Sequence, residues 1–144
     1  MRQSRGWGWM AIAVWALVAA PVSAQDAEAS VRTVVEEFVA AWKAGDSQRL
    51  AGLMAPAGTV VWVSDTASGT TVESMTFEEL LRNRRPQERY ELEDMHNLHI
   101  VDDQLATVDV EIRIATGTYH DHYVLYRVGQ EWLIANKAFV LRRH

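Results

Sequence analysis

Four strand-like segments follow one another directly in the carboxyl-terminal half of the chain, and they constrain its fold more than any other feature. They span residues 90–101, 105–116, 119–128 and 132–141 and are rich in β-branched and aromatic side chains. The reversals between them are short, at residues 102–104, Gly117 and residues 129–130. Because strands joined by so few residues pair in opposite directions, the sequence predicts a mainly antiparallel sheet.

The segment 105–116 shows how that sheet is covered. Its apolar residues, Ala106, Val108, Val110, Ile112 and Ile114, alternate with Thr107, Asp109, Glu111 and Arg113. Successive side chains of a strand point to opposite faces. We therefore expect one face to be covered by other elements and one to meet water.

Helical patterns precede the strands. Apolar residues recur at helical spacing from Val31 to Trp42, and Gly45 can end this helix in the left-handed conformation. Asp46 is suited to cap a shorter helix that carries Leu50, Leu53 and Met54 and that Pro56 and Gly58 stop.

A strand at 59–63, a turn-rich stretch at 64–70 and a possible short strand at 71–74 come next. Thr76 and Glu79 form a capping box for a third helix, which should end near residues 83–86. Helices first and strands last indicate the α+β class, with the helices on one face of a strongly curved sheet that forms a cone.

The amino end has the layout of a secretory signal. Arg2 and Arg5 precede an apolar core of about 14 residues, which is shorter than the roughly 20 that span a bilayer. Small residues suit a cut between Ala24 and Gln25. We expect a signal peptide at 1–24, one domain at 25–144, a secreted or periplasmic protein and no membrane attachment after cleavage.

Composition excludes several partners. The chain has 19 acidic and 14 basic residues and no cysteine. Nucleic acid binding needs clustered positive charge, so nucleic acid is not expected as a partner. Neither a phosphate-binding glycine loop nor a dinucleotide fingerprint is present, and no cofactor is expected.

Three stretches resemble the nuclear transport factor 2-like superfamily, which has a cystatin-like cone fold. They are FVAAWKAGD at 38–46, YHDHYVLY at 119–126 and WLIANK at 132–137. Within the superfamily they are most similar to the groups named "putative lumazine-binding" and SnoaL-like. The resemblance implies a site in the mouth of the cone and a homodimer, with Tyr126 and His122 on the convex face. The superfamily holds binding modules, isomerases, cyclases and dehydratases, so fold alone does not choose the function.

The alternation of side chains along each strand predicts which residues line the pocket. If Leu92, Leu98 and Ile100 face inward, Asp94 and His96 do so too, and His99 faces outward. Parity leaves the strand at 119–128 open, and the resemblance favours the set with Asp121 as inward. The predicted lining is Asp94, His96, Tyr119, Asp121 and Tyr123, with Trp62 and Trp132 as apolar walls.

Two functions remain open. The chain is either a small-molecule-binding or accessory domain, or a cofactor-free acid/base enzyme (isomerase, cyclase or dehydratase). In the enzyme, Asp121 and His96 would move protons, and Tyr123 would donate to an oxyanion. A deep cavity with converging polar groups would favour the enzyme, and a filled cone the binding module.

Two further groups of residues could contact ligands. His120 and His122 share a face, but His96 and His99 have opposite parity, so no intrinsic metal is expected. Arg82, Arg84 and Arg85 form either a solvated helix end or a grip for an acidic ligand.

Overall fold

The computed structural model describes residues 23–82 and 84–144. The charged and apolar parts of the predicted signal peptide lie outside these residues. The elements are α1 (Ala24–Ala44), α2 (Ser47–Leu53), β1 (Met54–Thr66), β2 (Gly69–Thr76), α3 (Phe77–Arg82), β3 (Tyr90–Val101), β4 (Leu105–Ile114), β5 (Gly117–Val128) and β6 (Glu131–Arg143). Among the described helices, none has both the length and the apolarity needed to cross a bilayer.

The six strands form one curled, open sheet in the order β2-β1-β6-β5-β4-β3. All neighbouring pairs are antiparallel except β1 and β6, which run parallel. This mixed sheet with three helices confirms the predicted α+β class. Gly117, predicted as a reversal, instead begins β5 and pairs with Ile114 and Arg143, so the turn lies at residues 115–116.

Helix α1 covers the inner face of the sheet. Its buried residues Val31, Val35 and Phe38 belong to the same core as Val108 and Ile112 of β4, which confirms the alternation predicted for that strand. Transfer of apolar area out of water is worth about 25 cal/mol per Å², so burial of this shared face stabilises the fold.

The predicted helix boundaries are largely correct. Gly45 ends α1 with φ of 70°, Asp46 accepts a hydrogen bond from Arg49 N, and Thr76 and Glu79 form the capping box of α3. One boundary is wrong: α2 ends at Leu53, and Met54 already pairs with Ile134 in β1.

Pro56 and Gly58 therefore lie inside a strand rather than beyond a helix. The pairing of β1 with β6 is interrupted between Met54 and Thr59, where proline has no N–H to give to the ladder.

Strand β3 contains two irregularities, and the second restores the alternation of side chains that the first reverses. Its pairing with β4 shifts between Leu92 and Asp94 and again between His96 and His99. Each extra residue exchanges the two faces of the strand, so the segment 94–96 is out of phase with both ends. Asn97 adopts the left-handed conformation with φ of 51° at the second shift.

As a result, Met95 pairs with inward-facing Val110 and packs against the core, whereas Asp94 and His96 pair with Glu111 and Asp109 on the outer face. The prediction that Asp94 and His96 point into the cone is wrong. The outward orientation of His99 is confirmed, since it pairs with Thr107.

Candidate functional site

A buried polar cluster lies on the inner face of β5 and β6. Lys137 Nζ lies 2.9 Å from Asp121 Oδ2, and the side chains of the pair are 5% and 0% exposed. Tyr123 Oη donates a hydrogen bond of 2.9 Å to the same oxygen. A buried ion pair is costly to desolvate and is retained when good geometry and further hydrogen bonds compensate.

A bulge brings Lys137 into this cluster. Trp132 and Ile134 are buried, so strict alternation along β6 would turn residue 137 outward. The pairing with β5 passes from Leu125–Ile134 to Val124–Asn136 and leaves Ala135 as an extra residue. Lys137 then pairs with Tyr123 and points inward beside it.

Aromatic rings surround the ammonium group of Lys137. Its Nζ lies 5.1–5.8 Å from the ring centroids of Trp42, Tyr119, Tyr123 and Phe139. A cation near the face of an aromatic ring is attracted by the ring's quadrupole, more strongly where water is excluded. The rings thus stabilise the charged lysine in a site closed to solvent.

Two buried polar atoms of the cluster have no hydrogen bond of good geometry among the described residues, although the Tyr123 hydroxyl lies near enough to Tyr90 to influence its pKa. They are Tyr90 Oη and Asp121 Oδ1, on residues that are 1% and 3% exposed. Burial, followed by the charge of Asp121, raises the pKa of Tyr90 and of Tyr123 well above that of a free tyrosine. Both phenols therefore remain neutral and able to donate at any physiological pH.

Half-buried aromatic rings continue the site toward the end of the sheet where β5 begins. Trp62 stacks on Phe139 with ring centroids 6.1 Å apart, and Tyr119 meets Phe139 edge to face at 5.2 Å. The guanidinium of Arg84 lies 3.6 Å from the ring centroid of Trp42. Together these groups form a rim that is apolar on one side and cationic on the other.

The structure brings together four of the predicted site residues. Asp121 and Tyr123 are in the cluster, and Tyr119 and Trp62 are at the rim. Trp132 is 3% exposed but lies apart from them, near the start of β6. There it lines a groove of about 440 Å³ with Val34 and Leu53.

Asp94 and His96 are on the other side of the sheet, with the remaining histidines of the strands. His96 Nδ1 lies 3.0 Å from Asp94, His122 Nδ1 lies 2.6 Å from Asp109, and His120 Nδ1 lies 3.3 Å from Glu111. The hydrogen bond from His122, with a second from Asn97, lowers the pKa of Asp109. Within residues 23–82 and 84–144, no three potential metal ligands are arranged to hold an ion.

Lys137 and Tyr90 were not predicted as members of the site, and Arg84 was predicted only as part of a basic cluster that forms either a solvated helix end or a grip for an acidic ligand. Lys137 was hidden by the bulge, which composition does not reveal. Tyr90 is the first residue of a predicted strand and has the parity of Leu92, so alternation alone could have placed it inward.

The comparisons with known proteins agree with this fold. The sequence model of the family described as "Putative lumazine-binding" matches residues 26–140. No curated protein matches the chain.

Solved structures similar to the chain share little sequence with it. An NTF2-like protein of unknown function from Shewanella baltica has 13% identity and a TM-score of 0.73, over 86% of this chain and 100% of that one. A second, from Methylobacillus flagellatus, has 18% identity and a TM-score of 0.68, over 84% and 95%. A protein of unknown function with a cystatin-like fold from Nostoc punctiforme has 11% identity and a TM-score of 0.63, over 85% and 96%.

Proposed function

Since this chain belongs to the family described as "Putative lumazine-binding", whose model covers most of it, we propose that it binds a small planar organic molecule in the mouth of the cone. The observation that carries the proposal is the pair of unpartnered polar atoms, Tyr90 Oη and Asp121 Oδ1, in a cluster lined by aromatic rings. A buried polar atom left without a partner costs about 1–3 kcal/mol. A ligand that supplies the missing hydrogen bonds recovers that cost.

The rim supports a planar ligand in particular. Trp62, Tyr119 and Phe139 offer ring faces and edges, and aromatic pairs gain about 0.5–1.5 kcal/mol beyond their buried area. The cluster itself is closed to solvent, so binding requires these half-buried side chains to move.

Among residues 23–82 and 84–144, no contact supports the alternative of an acid/base enzyme built on His96 and Asp121. His96 lies on the outer face of the sheet and Asp121 on the inner face, so the two do not share a site. Asp121 is instead paired with Lys137 and Tyr123. These partners suit a residue that holds a fixed hydrogen-bond pattern for a ligand.

Titration of the protein with lumazine, followed by tryptophan fluorescence and calorimetry, tests the proposal. The key variant is Tyr90→Phe, which removes an unpartnered buried hydroxyl. We expect its ligand-free stability to be unchanged or slightly higher. Affinity should fall about 3- to 10-fold, the value of one neutral hydrogen bond.

His99→Gln serves as the control, because His99 is exposed on the outer face. It should leave affinity unchanged. If Tyr90→Phe lowers the melting temperature by several degrees and leaves affinity intact, the hydroxyl has a structural role and the proposal is wrong.

We also propose that two copies associate through their outer sheet faces. Val63 and Val140 are 50% exposed and Val72 is 74% exposed, and all three lie on this face of β1, β6 and β2. Tyr126, half exposed on β5, adds to the same face. Light scattering should give the dimer mass for the native protein and the monomer mass for Val63→Lys. A monomeric native protein would rule out the dimer.

Export is proposed on the leader pattern of the first 24 residues. Ser23 caps α1, with its Oγ accepting a hydrogen bond from Asp26 N, so a cut after Ala24 would remove this cap. Loss of a serine cap costs about 1 kcal/mol, and the first turn of α1 should fray. Intact-mass analysis of protein from the extracellular or periplasmic fraction tests the site, and a product that still begins at Met1 would contradict it.

A further inference from the structure

Arg84 is fixed at the rim by the segment that joins α3 to β3. Gln87 N donates to Lys43 O at 2.9 Å, and Gly45 lies so close to this segment that a Cβ there would approach Pro86 N to 2.5 Å. The positive φ of Gly45 further restricts this position to glycine. The end of α1 therefore determines where the side chain of Arg84 lies.

The guanidinium of Arg84 is incompletely satisfied. One terminal nitrogen donates to Trp42 O at 2.7 Å, whereas Nε is buried and has no partner among the described residues. The ring of Trp42 stabilises the charge by stacking on it. The ring provides no acceptor for the N–H groups, which point outward in the plane of the guanidinium. Burial accordingly lowers the pKa of Arg84.

The two cations of the site, Lys137 and Arg84, differ in whether a carboxylate neutralises their charge. Lys137 is matched by Asp121 at 2.9 Å, whereas no carboxylate of the described residues pairs with Arg84. The site thus has one positive charge, on the half-buried Arg84, that no carboxylate of the described residues balances. A charge that is partly removed from water is stabilised by an opposite charge beside it, so a ligand with one negative charge would complement the site.

A neutral donor belongs to the same aromatic cluster as this cation. The ring of Tyr90 is 5.9 Å from that of Trp42, on which Arg84 stacks, and Tyr90 Oη is also unpartnered. We propose, on the basis of the binding function above, that the ligand is a planar organic acid whose carboxylate pairs with Arg84 and accepts from Tyr90. Arginine suits this role, since its planar fork matches the two oxygens of a carboxylate.

Calorimetry with indole-3-acetate and indole-3-acetamide tests the charge preference. The two probes share a ring and differ in charge. The native protein should bind the acid at least 10-fold more tightly than the amide. Arg84→Gln should abolish this preference while keeping the affinity for the amide, and Arg84→Lys should retain part of it.

Arg85→Gln is the matched control, because it removes an exposed positive charge from the adjacent position. It should keep the preference at low and at moderate salt. Equal loss in Arg85→Gln and Arg84→Gln would indicate a general field effect and overturn the assignment to Arg84. Melting curves identify any variant that is unfolded, in which case Arg84→Lys provides the comparison.

The outcomes separate this inference from the function on which it rests. If lumazine or the amide binds and the acid has no advantage, the planar site stands and the acid specificity is wrong. If lumazine, acid and amide all fail to bind at millimolar concentration, the binding function is overturned and the inference with it.

Discussion

Replacement of Lys137 by methionine should strongly destabilise the protein. Methionine keeps an apolar stem among the rings but leaves the carboxylate of Asp121 buried with one hydrogen bond, from Tyr123. Removing one partner of a buried ion pair costs about 3–5 kcal/mol. For a domain of about 120 residues, with an unfolding entropy near 2.1 cal/mol/K per residue, the melting temperature should fall by about 12–20 °C.

The double variant Lys137→Met/Asp121→Asn distinguishes charge pairing from packing. It removes both charges, so we expect its loss of stability to be smaller than the sum of the single losses by about 2–3 kcal/mol. Urea unfolding followed by circular dichroism gives all the free energies.

Arg82→Met provides a reference for an exposed ion pair. Its partner is Glu78, and the two side chains are 65% and 84% exposed, so the cost should stay below about 0.5 kcal/mol. A cost below about 1 kcal/mol for Lys137→Met, or losses that simply add in the double variant, would show that Lys137 and Asp121 do not form a stabilising buried ion pair.

Three further changes test other parts of the structure. Tyr123→Phe removes a donor from the buried carboxylate and should cost about 1–3 kcal/mol in urea unfolding; a neutral result would contradict the hydrogen bond. Gly45→Ala should cost at least about 1 kcal/mol, because φ is positive and Pro86 lies against it, and wild-type stability would argue against this contact. His122→Ala should raise the lowered pKa of Asp109, whose stabilising effect is present above about pH 4 and lost as the pH falls further. Melting temperatures of variant and native protein should thus differ above pH 4 and converge toward pH 2; a constant difference would contradict the assignment.

The parts of the fold that sequence could predict depend on local chemistry. The alternation of β4 required only period-two patterning, and the helix ends at Gly45 and Asp46 required only the conformations and side-chain acceptors of those residues. Each of these signals lies within a few residues of the feature it predicts. Prediction failed at Met54, where an apolar residue suits a helix end and a strand start equally well.

The errors in the site come from bulges. Neither Glu93 nor Ala135 is a residue type that signals a bulge. The register shifts beside them nevertheless determine the faces of the sheet on which His96 and Lys137 lie. The apolar Met95 between polar neighbours was the one visible hint on β3. On β6 the reason is energetic and not local: a lysine turns inward because Asp121 on the adjacent strand compensates its charge.

The contact between the end of α1 and the segment 84–89 contains an amide whose exchange with solvent would report on ligand entry at the rim. The amide of Gln87 and that of Asp46 are protected by carbonyls of Lys43 and Ala41, at 2.9 and 3.0 Å. If a ligand enters by displacing this segment, the Gln87 bond must break during each passage. The hydrogen–deuterium exchange of that one amide would then measure how often the cone opens, before any natural ligand has been identified.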